Sequence, residues 1–330
     1  MVEVAILARY RDEIMAALER TLAEDGPLAR LLRYPLGLEE PDGTPGPGIG
    51  GKLLRPSLVC FSCEALGGDV SAALPLACAL ELVHNFSLVH DDIQDGDELR
   101  RGRPTVWKAF GTAQAINSGD GLLVLALKTA IGAQGALSPK AVLTALEALS
   151  SATFRMIEGQ ALDLGLEGDD SGGVAEYLAM ARRKTGALFG AAFELGAIAA
   201  GRPELGSENR ELGETLGLAF QITDDILGIW GKPEQTGKPA RSDLVRRKHS
   251  WPVAYALEQD PTLGELLSRS PVPVEKVLER LSALGVRRAA EEAARRYARE
   301  AREKTEVLPW TREAKEMFEE LLSFLAEREV

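Results

Sequence analysis

The segment at residues 186–200, GALFGAAFELGAIAA, is apolar on nearly every side when wound as a helix, so it is stable only with other helices packed around it. Helical spacing of apolar residues recurs over residues 2–23, 53–66, 113–133, 139–166, 174–200, 208–230, 251–260, 273–284, 286–306 and 311–328. Another helix, with Ser71 as its expected cap, leads into residues 80–103. Residues 34–51, YPLGLEEPDGTPGPGIGG, are too rich in Pro and Gly for helix or strand and read as a long loop. Residues 231–250 read as a polar, basic loop. No period-2 alternation and no fixed-period repeat stands out. The expected fold is therefore all-α: one helical bundle over residues 1–330, with charged amphipathic helices outside.

Residues 80–103, LELVHNFSLVHDDIQDGDELRRGR, place Asp91, Asp92 and Asp95 in an apolar helical run. Spacings of three and four put the carboxylates on one face about a turn long. There they repel one another and oppose the helix dipole. Divalent cations relieve both effects, and oxygen-only ligands on a rigid helix suit Mg²⁺ with its waters and a substrate phosphate. A solvated acidic helix end is the alternative. His84, Ser87 and Leu88 continue the face backwards. Gln221, Asp224 and Asp225 repeat the spacing on a second apolar helix, which suggests two helices facing each other across a central cavity with metals between.

Cations gather at four places: Lys52 and Arg55 after the Gly-rich loop, Arg100, Arg101 and Arg103 after the carboxylates, Arg182, Arg183 and Lys184 inside an apolar helix, and Lys232, Lys238, Arg241, Arg246, Arg247 and Lys248 in the polar loop. Each group alone reads as a solvated face. Beside two carboxylate sets they suit a substrate that carries phosphates. The net charge of -12 argues against nucleic acid, whose partner needs a basic face. The N-terminal MVEVAILARYRDE lacks the basic start of a signal peptide, and no uncharged apolar run reaches membrane-spanning length, so stable membrane insertion is not expected. Cys60, Cys63 and Cys78 are sparse and odd in number, which fits a reducing cytoplasm. Cys60 and Cys63 form a CxxC that reads as two small buried residues, because no second ligand pair exists.

In this order the motifs resemble those of the trans-isoprenyl diphosphate synthases, over roughly residues 50–248. Asp91-Asp92-Ile93-Gln94-Asp95 followed by Arg100-Arg101-Gly102 is similar to the family's first aspartate-rich motif, and Gln221 to Asp225 to the region of its second. Gly51-Lys52 with Arg55-Pro56, Gly159-Gln160 with Asp163, and Lys184-Thr185 match three more. The resemblance implies an isoprenoid-synthase-type bundle and a typical homodimer. Three Mg²⁺ ions would be held by Asp91, Asp95 and Asp224, with Asp92 and Asp225 supporting. Arg100, Lys184 and Lys238 would contact the allylic diphosphate, and Lys248 is a further substrate-binding candidate. Lys52, Arg55, His84 and Arg101 would hold isopentenyl diphosphate, and Gln160, Lys184, Thr185 and Gln221 would line the reacting centre. The implied reaction is ionisation of the allylic C–O bond, attack by the isopentenyl double bond, and proton loss to the departing pyrophosphate.

Two positions depart from the family pattern. Gly228 stands where the second motif usually ends in an aspartate, so one outer contact to the third metal is expected to be missing, and Leu53 stands where many members carry Arg. Phe86 and Ser87, five and four residues before Asp91, resemble the arrangement in synthases that stop at geranylgeranyl diphosphate, with farnesyl or longer products as alternatives. A helical projection puts Ser87, rather than Phe86, on the carboxylate face. A terpene cyclase would have no use for Lys52 and Arg55. A histidine-rich phosphohydrolase site needs more than the three His present, His84, His90 and His249. A non-catalytic partner subunit of such a synthase conflicts with the intact carboxylates.

Overall fold

The computed structural model of the protein describes residues 4–166, 172–231 and 241–326. In chain order the helices are α1 (Ala5–Arg9), α2 (Arg11–Thr21), α3 (Ala29–Arg33), α4 (Leu54–Ala65), α5 (Val70–Gln94), α6 (Val106–Phe110), α7 (Thr112–Ile131) and α8 (Pro139–Leu166). They continue as α9 (Val174–Ala181), α10 (Ala187–Ala199), α11 (Gly206–Trp230), α12 (Ser242–Val245), α13 (Trp251–Gln259), α14 (Leu263–Leu267), α15 (Val274–Ala283), α16 (Val286–Lys304) and α17 (Arg312–Ala326). Among the described residues the only strands are β1 (Leu99–Arg100) and β2 (Arg103–Pro104), an antiparallel pair too short to show alternation in sequence.

The expected all-α fold forms, with local departures that have physical causes. The helix expected over residues 2–23 breaks at Tyr10, whose hydroxyl and neighbouring Arg9 both donate to Glu64 of α4, Arg9 Nε at 2.8 Å. The cap of α5 is Asp69, not Ser71: the Asp69 carboxylate accepts from the Ser71 amide at 2.9 Å and takes up the Ser71 hydroxyl as well, at 2.7 Å. The helix expected over residues 174–200 is interrupted by a π-helical turn, Arg182–Gly186, which holds one extra residue per turn. The short helices α3, α6, α12 and α14 lie in segments without enough turns to show periodicity.

The chain divides into two compact units. The first comprises Met1–Ser151, Ala191–Arg210 and Pro309–Met317, the second Ala152–Gly190, Glu211–Leu308 and Phe318–Val330. In the first, α5 is the central element and packs on α4 and α7, with Ala73, Leu76, Ala79, Leu80, Leu82 and Val83 wholly buried. This helix matches a membrane span in length and mean hydropathy, yet 67% of its most apolar window is buried in the protein. Phe61, Phe193 and Trp310 interlock beside it, with Phe61 and Trp310 centroids 5.2 Å apart at 84°. Cys60, Cys63 and Cys78 are buried and unbridged, and burial pushes the Cys63 and Cys78 thiols up to about 12, so they act as small apolar residues.

The second unit has its own core. Tyr177 and Met180 of α9, Leu218, Ile222 and Ile226 of α11, Trp251 of α13, and Ala290, Ala294 and Tyr297 of α16 form one cluster. The alanines of α16 recur every three or four residues, which lets this otherwise charged helix lie close on its neighbours. Ile229, Leu244, Val253, Leu257, Val277 and Leu281 form a second cluster, and Leu244 draws α12 onto the end of α11.

Candidate active site

The residues singled out from sequence fall into both units. Lys52, Arg55, His84, Phe86, Ser87, Asp91, Asp92, Asp95, Arg100 and Arg101 belong to the first, and Gln160, Lys184, Thr185, Gln221, Asp224, Asp225 and Lys248 to the second. Lys238 and Lys232 lie outside the described residues.

In the first unit the carboxylates at the end of α5 do not share one face. Asp92 is 3% exposed and turns inward to Arg100, whose Nη2 lies 2.7 Å and Nε 2.8 Å from Asp92 Oδ1. Burial raises the Asp92 carboxyl, against the pull of Arg100. Asp91 is half-buried and Asp95, which caps the helix, is exposed. Adjacent helical residues point about 100° apart, so spacing of three from Asp92 to Asp95 left the inward turn of Asp92 undetermined.

Tertiary packing also gathers the cations. Residues 34–50 fold back on the ribbon, where Tyr34 OH donates to Pro104 O at 2.6 Å and the Arg103 guanidinium lies 4.5 Å from the Tyr34 ring centre. Arg101 occupies the turn between β1 and β2 at φ 53° and reaches the Gly51 backbone. A Cβ on Gly51 would stand 2.7–2.9 Å from its guanidinium, so the Gly-Gly step before Lys52 is a seat for Arg101. Arg55 Nη1 donates to His84 Nε2 at 3.3 Å. Burial, then Arg55, Arg101 and Arg100, hold the imidazole well below its ordinary value and therefore neutral. A cavity of about 250 Å³ beside the ribbon is lined in part by Asn85, Asp92, Arg100, Arg101 and Arg103. A larger one, about 460 Å³, lies over α3 among charges that already pair, Arg30 with Glu39 and Arg33 with Asp25 at 3.0 Å each.

Glu81 was not singled out from sequence. It is 6% exposed, its backbone and side-chain oxygens accept from Asn85 Nδ2 at 2.8 and 3.0 Å, and burial pushes its carboxyl up to about 7 against the opposing pull of Arg55 and Arg101. Its signal was a single charge inside the apolar run ACALELV. Phe86 is buried and meets His90 edge-on at 5.0 Å, whereas the Ser87 hydroxyl is spent on His84 O at 2.8 Å.

In the second unit the π-turn does the positioning. Lys184 Nζ bonds Asp163 of α8, and the Thr185 hydroxyl donates to Gln221 Oε1 at 2.5 Å. Gly159 makes this possible, since a Cβ there would stand 2.1 Å from the Lys184 nitrogen and force α8 away. Gln160, half-buried, follows it on α8. Gln221 Nε2 donates to Asp225 Oδ1 at 2.9 Å. Asp225 is fully buried and also accepts from Lys248 Nζ and the Trp251 amide, both at 2.9 Å. Burial works against the Lys248 charge, but Asp225, Asp243, Asp224 and Asp163 outweigh it and hold the ammonium well above its ordinary value. Asp225 is thus the hub of a satisfied network, while its neighbour Asp224 is exposed.

The first unit offers the exposed carboxylate of Asp95 and a neutral imidazole among guanidiniums, and the second offers the exposed carboxylate of Asp224 and an ordered hydroxyl–amide pair. Those groups suit anionic phosphates and a positively charged carbon. Residues 47–284 match the profile of the Polyprenyl synthetase family. The chain is 43% identical over 259 residues to a (2E,6E)-farnesyl diphosphate synthase of Mycobacterium tuberculosis, covering 78% of this chain and 71% of that one. It is 42% identical over 256 residues to a geranylgeranyl diphosphate synthase of the same organism, covering 77% and 72%. The solved polyprenyl synthetase of Streptomyces coelicolor A3(2) superposes with a TM-score of 0.88 at 37% identity, over 98% of this chain and 99% of that one. The chain therefore belongs to the polyprenyl synthetase family of prenyltransferases, the trans-prenyl diphosphate synthases.

Proposed function

We propose that the protein condenses isopentenyl diphosphate with an allylic diphosphate in a Mg²⁺-dependent reaction that releases pyrophosphate, and that its main product is geranylgeranyl diphosphate. The observation that carries this reading is the Arg55–His84 pair with Arg101 seated on Gly51, a group of anion-binding side chains in the same unit as Asp91 and Asp95. An enzyme that only ionised one diphosphate would have no need of a second anion site.

The donor set fits magnesium. Asp91, Asp95 and Asp224 offer hard oxygens, one or two to a helix. Magnesium suits that pattern, because it keeps waters and takes one or two carboxylates plus substrate phosphates. When bound it would neutralise charge developing on the departing diphosphate. Lys52, Arg55, His84 and Arg101 would hold isopentenyl diphosphate, and Arg100, Lys184, Lys238 and Lys248 would bind the allylic diphosphate. Thr185 and Gln221 present oxygen dipoles, fixed by their mutual bond and by Asp225, toward which a carbocation is favoured. The allylic C–O bond breaks with its electron pair on the pyrophosphate, the isopentenyl π-electrons form the new C–C bond, and the proton lost goes to pyrophosphate.

Product length rests on buried Phe86 as the floor for the growing tail, since the two mycobacterial relatives are named for different products. We also read the protein as a cytoplasmic homodimer. Residues 73–82 are taken up by the core, but α7 still exposes Ile116, Val124 and Ile131, the last two at 57% and 45%. Incubation with Mg²⁺, isopentenyl diphosphate and each allylic diphosphate tests the reading, and no condensation with any primer rejects it.

A further inference from the structure

Residue 228 lies four after Asp224 and three after Asp225, one turn further along the same stripe of α11. It is glycine, so the helix offers no side chain there. The space is filled nonetheless. A Cβ built on Gly228 would stand 2.1 Å from Asp243 Oδ2, 2.5 Å from Asp243 Cγ and 3.0 Å from Oδ1. The Asp243 carboxylate from α12 thus lies directly on the bare helix backbone. Two independent anchors put it there: Leu244 is buried in the same cluster as Ile229, and Asp243 O accepts from the Lys248 amide at 2.9 Å, closing the turn that follows α12. The Lys248 ammonium lies 2.9 Å from Asp225 Oδ1 and 3.7 Å from Asp243 Oδ2.

We propose that Asp243 is a positioning residue of the second carboxylate cluster: its carboxylate takes the place of a side chain at residue 228 and, together with Asp225, holds Lys248, leaving Asp224 as the exposed carboxylate of the group. The cluster is then complete in number, with its third carboxylate supplied by a different helix. Glycine at 228 is a requirement of that arrangement, since any side chain would evict Asp243. The functional consequence rests on the prenyl-transfer reading above, but the arrangement itself does not.

Three comparisons test it. The first needs neither metal nor substrate: acetylation of Lys248 by acetic anhydride, measured by mass spectrometry with Lys304 as the internal reference. Asp243 and Asp225 between them hold the Lys248 ammonium, so Asp243→Gly uncovers it and speeds its labelling by about tenfold relative to Lys304. Adding Gly228→Asp returns a carboxylate to the same spot and slows labelling again. The second is thermal unfolding: Gly228→Ala lowers the midpoint in the wild-type background and has no such effect beside Asp243→Gly. The third is kinetic: Gly228→Asp alone lowers kcat/KM for the allylic substrate by about tenfold, and the Gly228→Asp, Asp243→Gly pair recovers to within about threefold of wild type. Unchanged Lys248 labelling in Asp243→Gly, equal midpoint losses for Gly228→Ala in both backgrounds, or a gain in kcat/KM for Gly228→Asp alone would each overturn the proposal. Wild-type protein that condenses nothing rejects the prenyl-transfer reading, and labelling and unfolding still decide the role of Asp243.

Discussion

Replacing Glu81 by Gln should flatten the pH dependence of stability between about pH 4.5 and 7. In the fold this carboxylate is almost wholly inside α5, and removal from water outweighs the attraction of Arg55 and Arg101, so it ionises near pH 7 rather than at 4.5. The folded protein therefore keeps a proton that the unfolded chain has already released. Glu81 lends full stability below about pH 4.5, and that contribution is lost as pH rises to 7, where both states are ionised. At ~1.4 kcal/mol for each tenfold in the ionisation constant, the rise from 4.5 to about 7 corresponds to roughly 3 kcal/mol. Gln keeps the oxygen that accepts from Asn85, so the substitution removes the charge with little change of shape. Denaturant unfolding followed by circular dichroism, at half-unit steps from pH 4.5 to 8, measures both proteins. The variant gains on the wild type by roughly 3 kcal/mol across this range. Parallel profiles, offset by a constant amount at every pH, would refute the claim that burial dominates at Glu81.

The other expectations concern the site. Gly159→Ala drives a methyl group into the Lys184 backbone, costs about 1–3 kcal/mol, and lowers kcat by displacing Lys184 and Thr185; thermal unfolding and steady-state assays check both. Phe86→Ala opens space beside His90 and lengthens the product; an unchanged chromatographic profile removes Phe86 as the floor. Chelation of Mg²⁺ abolishes condensation and its return restores it, while Asp91→Ala and Asp224→Ala each lower kcat at least about a hundredfold. A chelator-resistant rate would show that metal is not required.

The outline of the fold and both carboxylate sets were legible from neighbours within one helical turn. Apolar recurrence at three and four residues marked the long helices, and the same spacing marked Asp91, Asp95 and Asp224. Where such local rules ended, the readings ended too. Tyr10 breaks a continuous pattern because Glu64 holds its hydroxyl, and the π-turn at Arg182–Gly186 lies inside a run whose composition suits an ordinary helix. Glu81 is a single charge in an apolar run; Asn85 follows it one turn on, but Arg55 and Arg101 act on it only through the fold.

By itself the sequence determined that this chain must bury helices among helices, that it carries carboxylates three and four residues apart, and that cations follow them, because each of these depends on residues close to one another in the chain. Only the tertiary structure decided which groups meet. It turned Asp92 inward to Arg100, seated Arg101 on Gly51, let Lys184 approach Gly159, and laid Asp243 where residue 228 has no side chain. Contacts of that kind join residues from separate segments, and a missing Cβ signals a close approach only when the atom that approaches is known.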